Sequence, residues 1–327
     1  MWRDLVEVAR WAPSPHNMQP WNVRAPSAAE AELLVDPSRL LPETDPVGAF
    51  MTVALGVFVE TLAVAAHANG RELEVELVGE VDPRSTARPV FAHLRLVDGA
   101  PADRLSPQLV LDRRTSRVPY DGRAVAPDVL AELGAVAAAF DHVLETSSDA
   151  ALVESIVDLN RETLFHDLTD AVARSEVGSW LRFSARAAAA RRDGFSPAAL
   201  GFPGWLLRGY FAAASLFELP VLRHAVRALY GRTMRGTRTV GWLAGPWGGR
   251  DDWFAAGRML TRLWLTMTRH GVVLHPFGSV ITNPRANALL QARIPTAKGT
   301  LWLVFRAGYS AEPPRSYRLE TDEVLLG

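Results

Sequence analysis

Arg10-Trp11-Ala12-Pro13-Ser14-Pro15-His16-Asn17-Met18-Gln19-Pro20-Trp21 is the stretch on which the reading of this chain turns. Just before it, Leu5, Val8, Ala9 and Ala12 share one face of a short helix. Pro13 and Pro15 then break the helix and restrict the residues that precede them. The result is a stiff loop that presents Ser14, His16, Asn17 and Gln19 as hydrogen-bonding groups, with Pro20 and Trp21 as an apolar wall. Such a loop suits a flat heteroaromatic ligand with polar edges. The same residue types also make an ordinary surface turn, so the loop alone leaves both readings open.

The bulk properties exclude several classes. A chain of 327 residues buries a large core and has room for two domains. With 35 basic and 36 acidic residues the net charge is -1, which gives no electrostatic reason to expect nucleic acid as a partner. The absence of cysteine removes disulfides, thiolate metal sites, iron–sulfur clusters and cysteine nucleophiles together. The eight histidines are dispersed without metal-ligand spacing, so no metal is expected. There is no Gly-x-Ser-x-Gly elbow, no P-loop and no His-Glu-x-x-His. Residues 1–30 lack a basic start followed by an apolar run, which predicts no signal peptide and a cytoplasmic location. Residues 47–66 are apolar apart from a few positions and long enough to span a bilayer. Gly48, Thr52, Gly56, Glu60 and Thr61 suit packing inside a protein better than lipid, so a buried helix and no membrane partner are expected.

Residues 2–70 read as helix, loop, strand and long helix. Segments 72–77 and 92–97 alternate like half-buried strands. A polar connector, 101–107, leads to a second unit that begins at Leu109. A helix is expected over 127–139, with Pro127 in its first turn. Residues 149–192 read as helical. An insert over 195–241 is rich in large apolar residues: Phe202, Trp205, Leu206, Tyr210, Phe211, Leu216 and Phe217. Residues 252–270 form a strong amphipathic pattern ended by Gly271, and 301–305 an apolar strand. The Gly-rich stretch 245–249 lacks the lysine of a phosphate loop and reads as a turn. Trp242, Trp247 and Trp253 read as core or pocket-lining residues.

The 13–21 loop resembles the Pro-Ser-x-x-Asn-x-Gln-Pro-Trp segment of the FMN-dependent nitroreductase family. Leu41-Pro42-Glu43-Thr44-Asp45-Pro46, leading into Gly48 to Gly56, resembles the family's Asp-Pro turn and long central helix. Arg113-Arg114-Thr115-Ser116-Arg117 is similar to its Arg-x-Ser/Thr-x-Arg/Lys flavin-binding segment. Phe305-Arg306-Ala307-Gly308-Tyr309 and Pro313-Pro314-Arg315-Ser316-Tyr317-Arg318 resemble its last strand and basic tail. The likeness covers most of the chain and thins between about 193 and 241. It implies an α+β fold of mixed, mainly antiparallel sheets with surrounding helices. In that family two subunits build each flavin site, one giving the arginine segment and tail, the other the loop. Here both sets lie in one chain, which resembles a long-chain branch with an internal pseudo-dimer. The halves are then 1–107 and 108–327, the second carrying the insert 195–240, with one site per chain and a monomeric core.

What the resemblance implies for the site follows residue by residue. FMN is the cofactor and NADH or NADPH its reductant. Arg113, Arg315 and Arg318 are candidates for the phosphate, since planar guanidinium groups match phosphate oxygens. Arg117 stabilises charge on the reduced ring, and Thr115 bonds the ribityl or pyrimidine side. Gly278 and Ser279 supply a backbone donor, glycine permitting close approach, or else form a plain turn. Ser14, Asn17 and Gln19 line the ring's edge. His16 either donates to flavin or substrate, acts as a catalytic acid, or orders the loop. The activity implied is ping-pong reduction of a nitroaromatic, quinone or related acceptor. A flavin-dependent oxidase or desaturase, and a low-turnover flavin-holding protein, are the alternatives. The insert must pack on something. It is expected either as a lid, with Phe202, Trp205, Tyr210 or Phe211 reaching the pocket, or as a helical pair on the outer surface.

Overall fold

A computed structural model describes residues 1–99, 103–217, 219–295 and 298–327. Pro101 of the connector and the side chain of Phe217 lie outside the described residues. The strands are β1 (Trp21–Arg24), β2 (Glu30–Val35), β3 (Arg71–Leu77), β4 (Val90–Asp98), β5 (Val143–Ser147), β6 (Thr239–Gly245), β7 (Val273–Pro276), β8 (Thr300–Gly308) and β9 (Leu325–Leu326). The helices of the first part are α1 (Trp2–Ala9), α2 (Ala49–His67), α3 (Pro107–Asp112), α4 (Pro127–Ala138), α5 (Ala150–Asp167), α6 (Ala171–Ser179) and α7 (Ala185–Arg191). There follow α8 (Pro197–Leu200), α9 (Gly204–Ala212), α10 (Ala214–Phe217), α11 (Pro220–Thr233), α12 (Arg250–Arg269), α13 (Gly278–Thr282), α14 (Pro284–Gln291) and α15 (Thr321–Val324).

The strands make two sheets, ordered β3-β4-β2-β1-β9 and β5-β6-β8-β7. Every pairing is antiparallel except that of β9, which joins β1 in parallel. The carboxyl terminus therefore completes the sheet built by the amino-terminal part. β8 lies inside the second sheet, and after Thr300 each of its residues is buried. Burial on both faces is why this strand reads as an apolar run rather than an alternating one. Leu301 and Val304 face a core shared with α5 and α14, while Trp302 and Phe305 face the main core.

The apolar run at 47–66 becomes α2, and this helix is in the protein interior. Its 18-residue apolar window is 94% buried. The Asp45 carboxylate accepts from the Met51 amide at 2.8 Å and so holds the start of the helix. α12 covers α2, and the two backbones touch where glycine faces glycine. A Cβ on Gly56 would sit 2.2 Å from the Phe254 carbonyl oxygen, and one on Gly257 2.1 Å from that of Val53. Only glycine allows this approach. Beside the crossing, the buried Glu60 carboxylate pairs with Arg258 at 2.7 Å and Arg262 at 3.1 Å. A buried acid held by two arginines in this way is one that would be costly to leave unpaired.

Candidate active site

The proline-rich loop ends α1 and turns back through a single 3-10 turn. His16, Asn17 and Gln19 adopt positive φ angles of 49°, 56° and 57°. Such backbone is disfavoured for residues with a side chain, and a dense set of bonds holds it. Ser14 Oγ accepts from the Gln19 amide at 2.9 Å. Asn17 Nδ2 donates to the carbonyls of Gly194 and Tyr317 at 3.1 and 3.0 Å. Gln19 Nε2 donates to the carbonyl of Arg192 at 3.0 Å, and its Oε1 accepts from the Leu319 amide at 2.8 Å. The Gln19 amide is thus spent on tying the loop to the tail and to the segment before the insert. Asn17 Oδ1 is buried without a partner.

The tail carries the basic residues to this loop. Arg318 is buried, donating through Nε to the Ala12 carbonyl at 3.3 Å. Burial, with Arg315 and Arg114 close by, pushes its pKa down to about 9. Arg315 lies over the Trp11 ring at 3.5 Å, and Arg113 over the Trp264 ring at 4.5 Å. Arg113 is 8% exposed, and its Nε and Nη1 are buried with no partner. Its pKa is well below the usual arginine value, first through burial and then through Arg318, Arg114 and Arg315. Among the described residues the one carboxylate paired to this quartet is Glu312, 3.9 Å from Arg114. Four clustered cations with unfilled buried donors could hold a dianion.

Arg117 lies at a second cluster. Its guanidinium is 5.0 Å from the Phe195 ring, and the His16 ring packs on the same phenyl at 5.4 Å. Arg117 forms no ion pair among the described residues, and burial pushes its pKa down to about 10. His16 keeps some surface, but its Nδ1 is enclosed and unpartnered. Burial, then Arg117, lowers its pKa to about 4, so the ring is neutral at neutral pH. His275 behaves alike: 6% exposed, Nδ1 unpartnered, pKa pressed down by burial and then by Arg117 and Arg306. The arginine segment is laid along β7 by the Ser116 amide, which donates to the Leu274 carbonyl at 3.0 Å. This bond sets Thr115 beside Leu274 in a parallel bridge. Gly278 opens α13 directly after that strand, and a Cβ there would meet open space. Ser279 follows it, half-buried.

The structure therefore gathers the loop, the 113–117 segment and the tail, and sets Gly278 and Ser279 at the end of the strand that carries His275. Two participants escaped the sequence reading. Arg306 is fully buried and donates to the carbonyls of Ser116, Val118 and Thr233. His275 sits within the apolar stretch that ends in Pro276. The available signal was a charged or titratable residue within or directly beside an apolar run.

The insert's aromatic residues are placed differently from one another. Trp205 is 76% exposed. Tyr210 packs on Phe165 and Phe211, and Phe211 also on Phe183. Phe202 stacks on Tyr230 at 6.4 Å, and Tyr230 in turn acts on Arg117. Phe195, the insert's first residue, packs on both His16 and Arg117.

No family model matches the chain. A probable NAD(P)H nitroreductase, PigM, of Serratia sp. is 26% identical over 309 residues, which cover 88% of this chain and 82% of that protein. A putative NAD(P)H nitroreductase, acg, of Mycobacterium tuberculosis is 34% identical over 125 residues, 36% of this chain and 35% of that one. Against a solved structure, the FMN-dependent nitroreductase NfnB of Mycobacterium smegmatis in complex with NADPH, identity is 19%. That match covers 62% of this chain and 86% of the other, with a TM-score of 0.38. The loop at 13–21, the arginine segment at 113–117 and the match along most of the Serratia protein agree, and over most of its length the chain is similar to nitroreductases.

Proposed function

We propose that this protein is an FMN-dependent oxidoreductase that takes electrons from NADH or NADPH and passes them to a nitroaromatic, quinone or related acceptor. The observation that carries this reading is the unfilled donor set of Arg113 inside a quartet of arginines. A buried guanidinium without an acceptor costs free energy in the protein as it stands. A phosphate would fill Nε and Nη1 and offset the repulsion among Arg113, Arg114, Arg315 and Arg318. Bound FMN would supply the hydride chemistry, accepting from the nicotinamide and donating to the acceptor.

The protein's own groups then have separable roles. Arg117 offers an uncompensated cation between His16 and His275, an environment that favours an electron-rich group. The two imidazoles are neutral, and each has a free Nδ1. Gly278 leaves room for a ligand to approach the backbone. We read the chain as two halves that supply opposite walls of one site, the loop from 1–107 and the arginines from 108–327, so that the core is monomeric.

A second reading, flavin held with low turnover, is supported by Phe195, whose ring fills the gap between His16 and Arg117. One experiment decides between them. The purified protein should carry about one FMN per chain, and anaerobic NADPH or NADH should bleach it rapidly. Bound FMN that neither nucleotide bleaches favours the holding role. A protein without FMN, and unable to take it up, removes both readings.

A further inference from the structure

The insert carries a surface that the candidate active site does not use. α9, α10 and α11 follow one another in the insert, and the short α10 contacts both neighbours. Around α10 and the start of α11, Leu216, Leu219, Val221 and Leu222 are exposed, Val221 to 80%, and Trp205 is exposed at the start of α9. Single apolar residues on a surface are ordinary, but four within seven residues of chain mark an interaction face. The charge of the segment is as uneven as its apolarity. Residues 204–238 hold Arg208, Arg223, Arg227, Arg232, Arg235 and Arg238 against one acidic residue, Glu218, in a chain whose net charge is -1. Among the described residues the ion pairs of arginine pass from Arg192 to Arg250 with none between. Arg223 and His224 follow the exposed Val221 and Leu222 directly, and all four are exposed.

This combination selects the partner. A second copy would bring one set of unpaired arginines against another, and like charges oppose that contact. An anionic bilayer satisfies both features at once. Its headgroups meet the arginines, and its interfacial zone accepts the leucines, Val221 and Trp205. These helices are far too short to span. We infer that the α9–α11 segment docks this protein on an anionic lipid surface, the exposed apolar residues entering the headgroup region and the arginines meeting the headgroups. The inference does not depend on which flavin chemistry the site performs.

The test is co-sedimentation of the full chain with vesicles, either phosphatidylcholine alone or phosphatidylcholine with phosphatidylglycerol. Binding should require phosphatidylglycerol and weaken as salt rises. Leu219→Asp with Val221→Asp, and separately Arg223→Gln with Arg232→Gln, should each lower the partition coefficient by roughly tenfold or more. These positions are exposed, so the variants should keep the parent's circular dichroism and melting temperature. The inference is overturned by no binding at low salt, by equal binding to phosphatidylcholine, or by variants that bind like the parent. A dimer that the Asp variants dissolve, with no vesicle binding, would assign the face to a second copy and overturn it as well.

Discussion

Arg306 holds Arg117 from behind: its Nη2 donates to the carbonyls of Ser116 and Val118, at 3.2 and 3.0 Å, on either side of that residue. The same guanidinium reaches the Thr233 carbonyl and Thr237 Oγ1 through Nη1, at 2.8 and 3.2 Å, and lies 4.1 Å from the Tyr120 ring. One buried arginine of β8 thus fixes both the 116–118 backbone and the end of α11.

Replacing Arg306 should therefore loosen the site without touching a ligand. Arg306→Met removes the donor shared by four acceptors and should cost roughly 3 kcal/mol or more of folding stability. Arg306→Lys should recover part of this, since it keeps the charge but not the forked geometry. Urea unfolding of both variants, with FMN content per chain, gives the comparison. Unchanged stability in the Met variant would show that these contacts are not required.

Arg113 should behave in the opposite way. Arg113→Met removes a buried, unsatisfied cation, so the flavin-free protein should be as stable as the parent or more so. FMN affinity should fall by about tenfold to a hundredfold, the value of a lost charge-assisted bond. Flavin titration followed by fluorescence measures the first quantity and thermal unfolding the second. A variant that binds FMN like the parent would remove Arg113 from the phosphate site.

Acid should weaken the flavin-free fold through His16. Its folded pKa, about 4, lies below the ordinary 6.5, so the folded state binds fewer protons than the unfolded state between these values. The His16 contribution is therefore complete above pH 6.5 and is lost as pH falls toward 4, by at most roughly 1.4 kcal/mol per pH unit. His275, shifted in the same direction, adds to the slope. Denaturant unfolding at pH 7.5, 5.5 and 4.5 should show this decline, and His16→Phe should flatten it.

The glycine crossing offers a test of the core. Gly56→Ala drives a methyl group to 2.2 Å from the Phe254 carbonyl, which forces α2 and α12 apart and should cost about 1–3 kcal/mol or more. A melting temperature equal to the parent's would mean that the helices have slack.

The parts of the fold that could be read from sequence are those where local chemistry and tertiary role agree. Pro13 and Pro15 impose the loop wherever it packs, and the expected helix over 127–139 appears as α4. The segments 72–77 and 92–97 fall within β3 and β4 because one of their faces is wet and leaves an alternating record. β5, β6 and β7 were not read as strands, since half-buried Leu144 and Glu145 and fully buried β6 give no clean period. The site shows the same division. Arg113, Arg117, Arg315 and Arg318 lie in recognisable segments, while Arg306 is defined by what surrounds it after folding. Gln19 looked like a ligand donor, yet its amide bonds to the tail 300 residues away, a partner that local sequence does not reveal. The insert's aromatics were expected to reach the pocket as a lid or to pack on the outer surface, and their individual places depend on α5 and α6, which pack against them.

The pairing of α2 with α12 also has a consequence in time. α2 is finished at His67, whereas its cover does not begin until Arg250. At roughly 5–20 residues per second, synthesis leaves about 10–40 s between the two. During that interval the nascent chain presents a 19-residue apolar helix, long enough to be taken for a membrane segment. Slower translation of the stretch between them therefore lengthens the time this helix waits for α12.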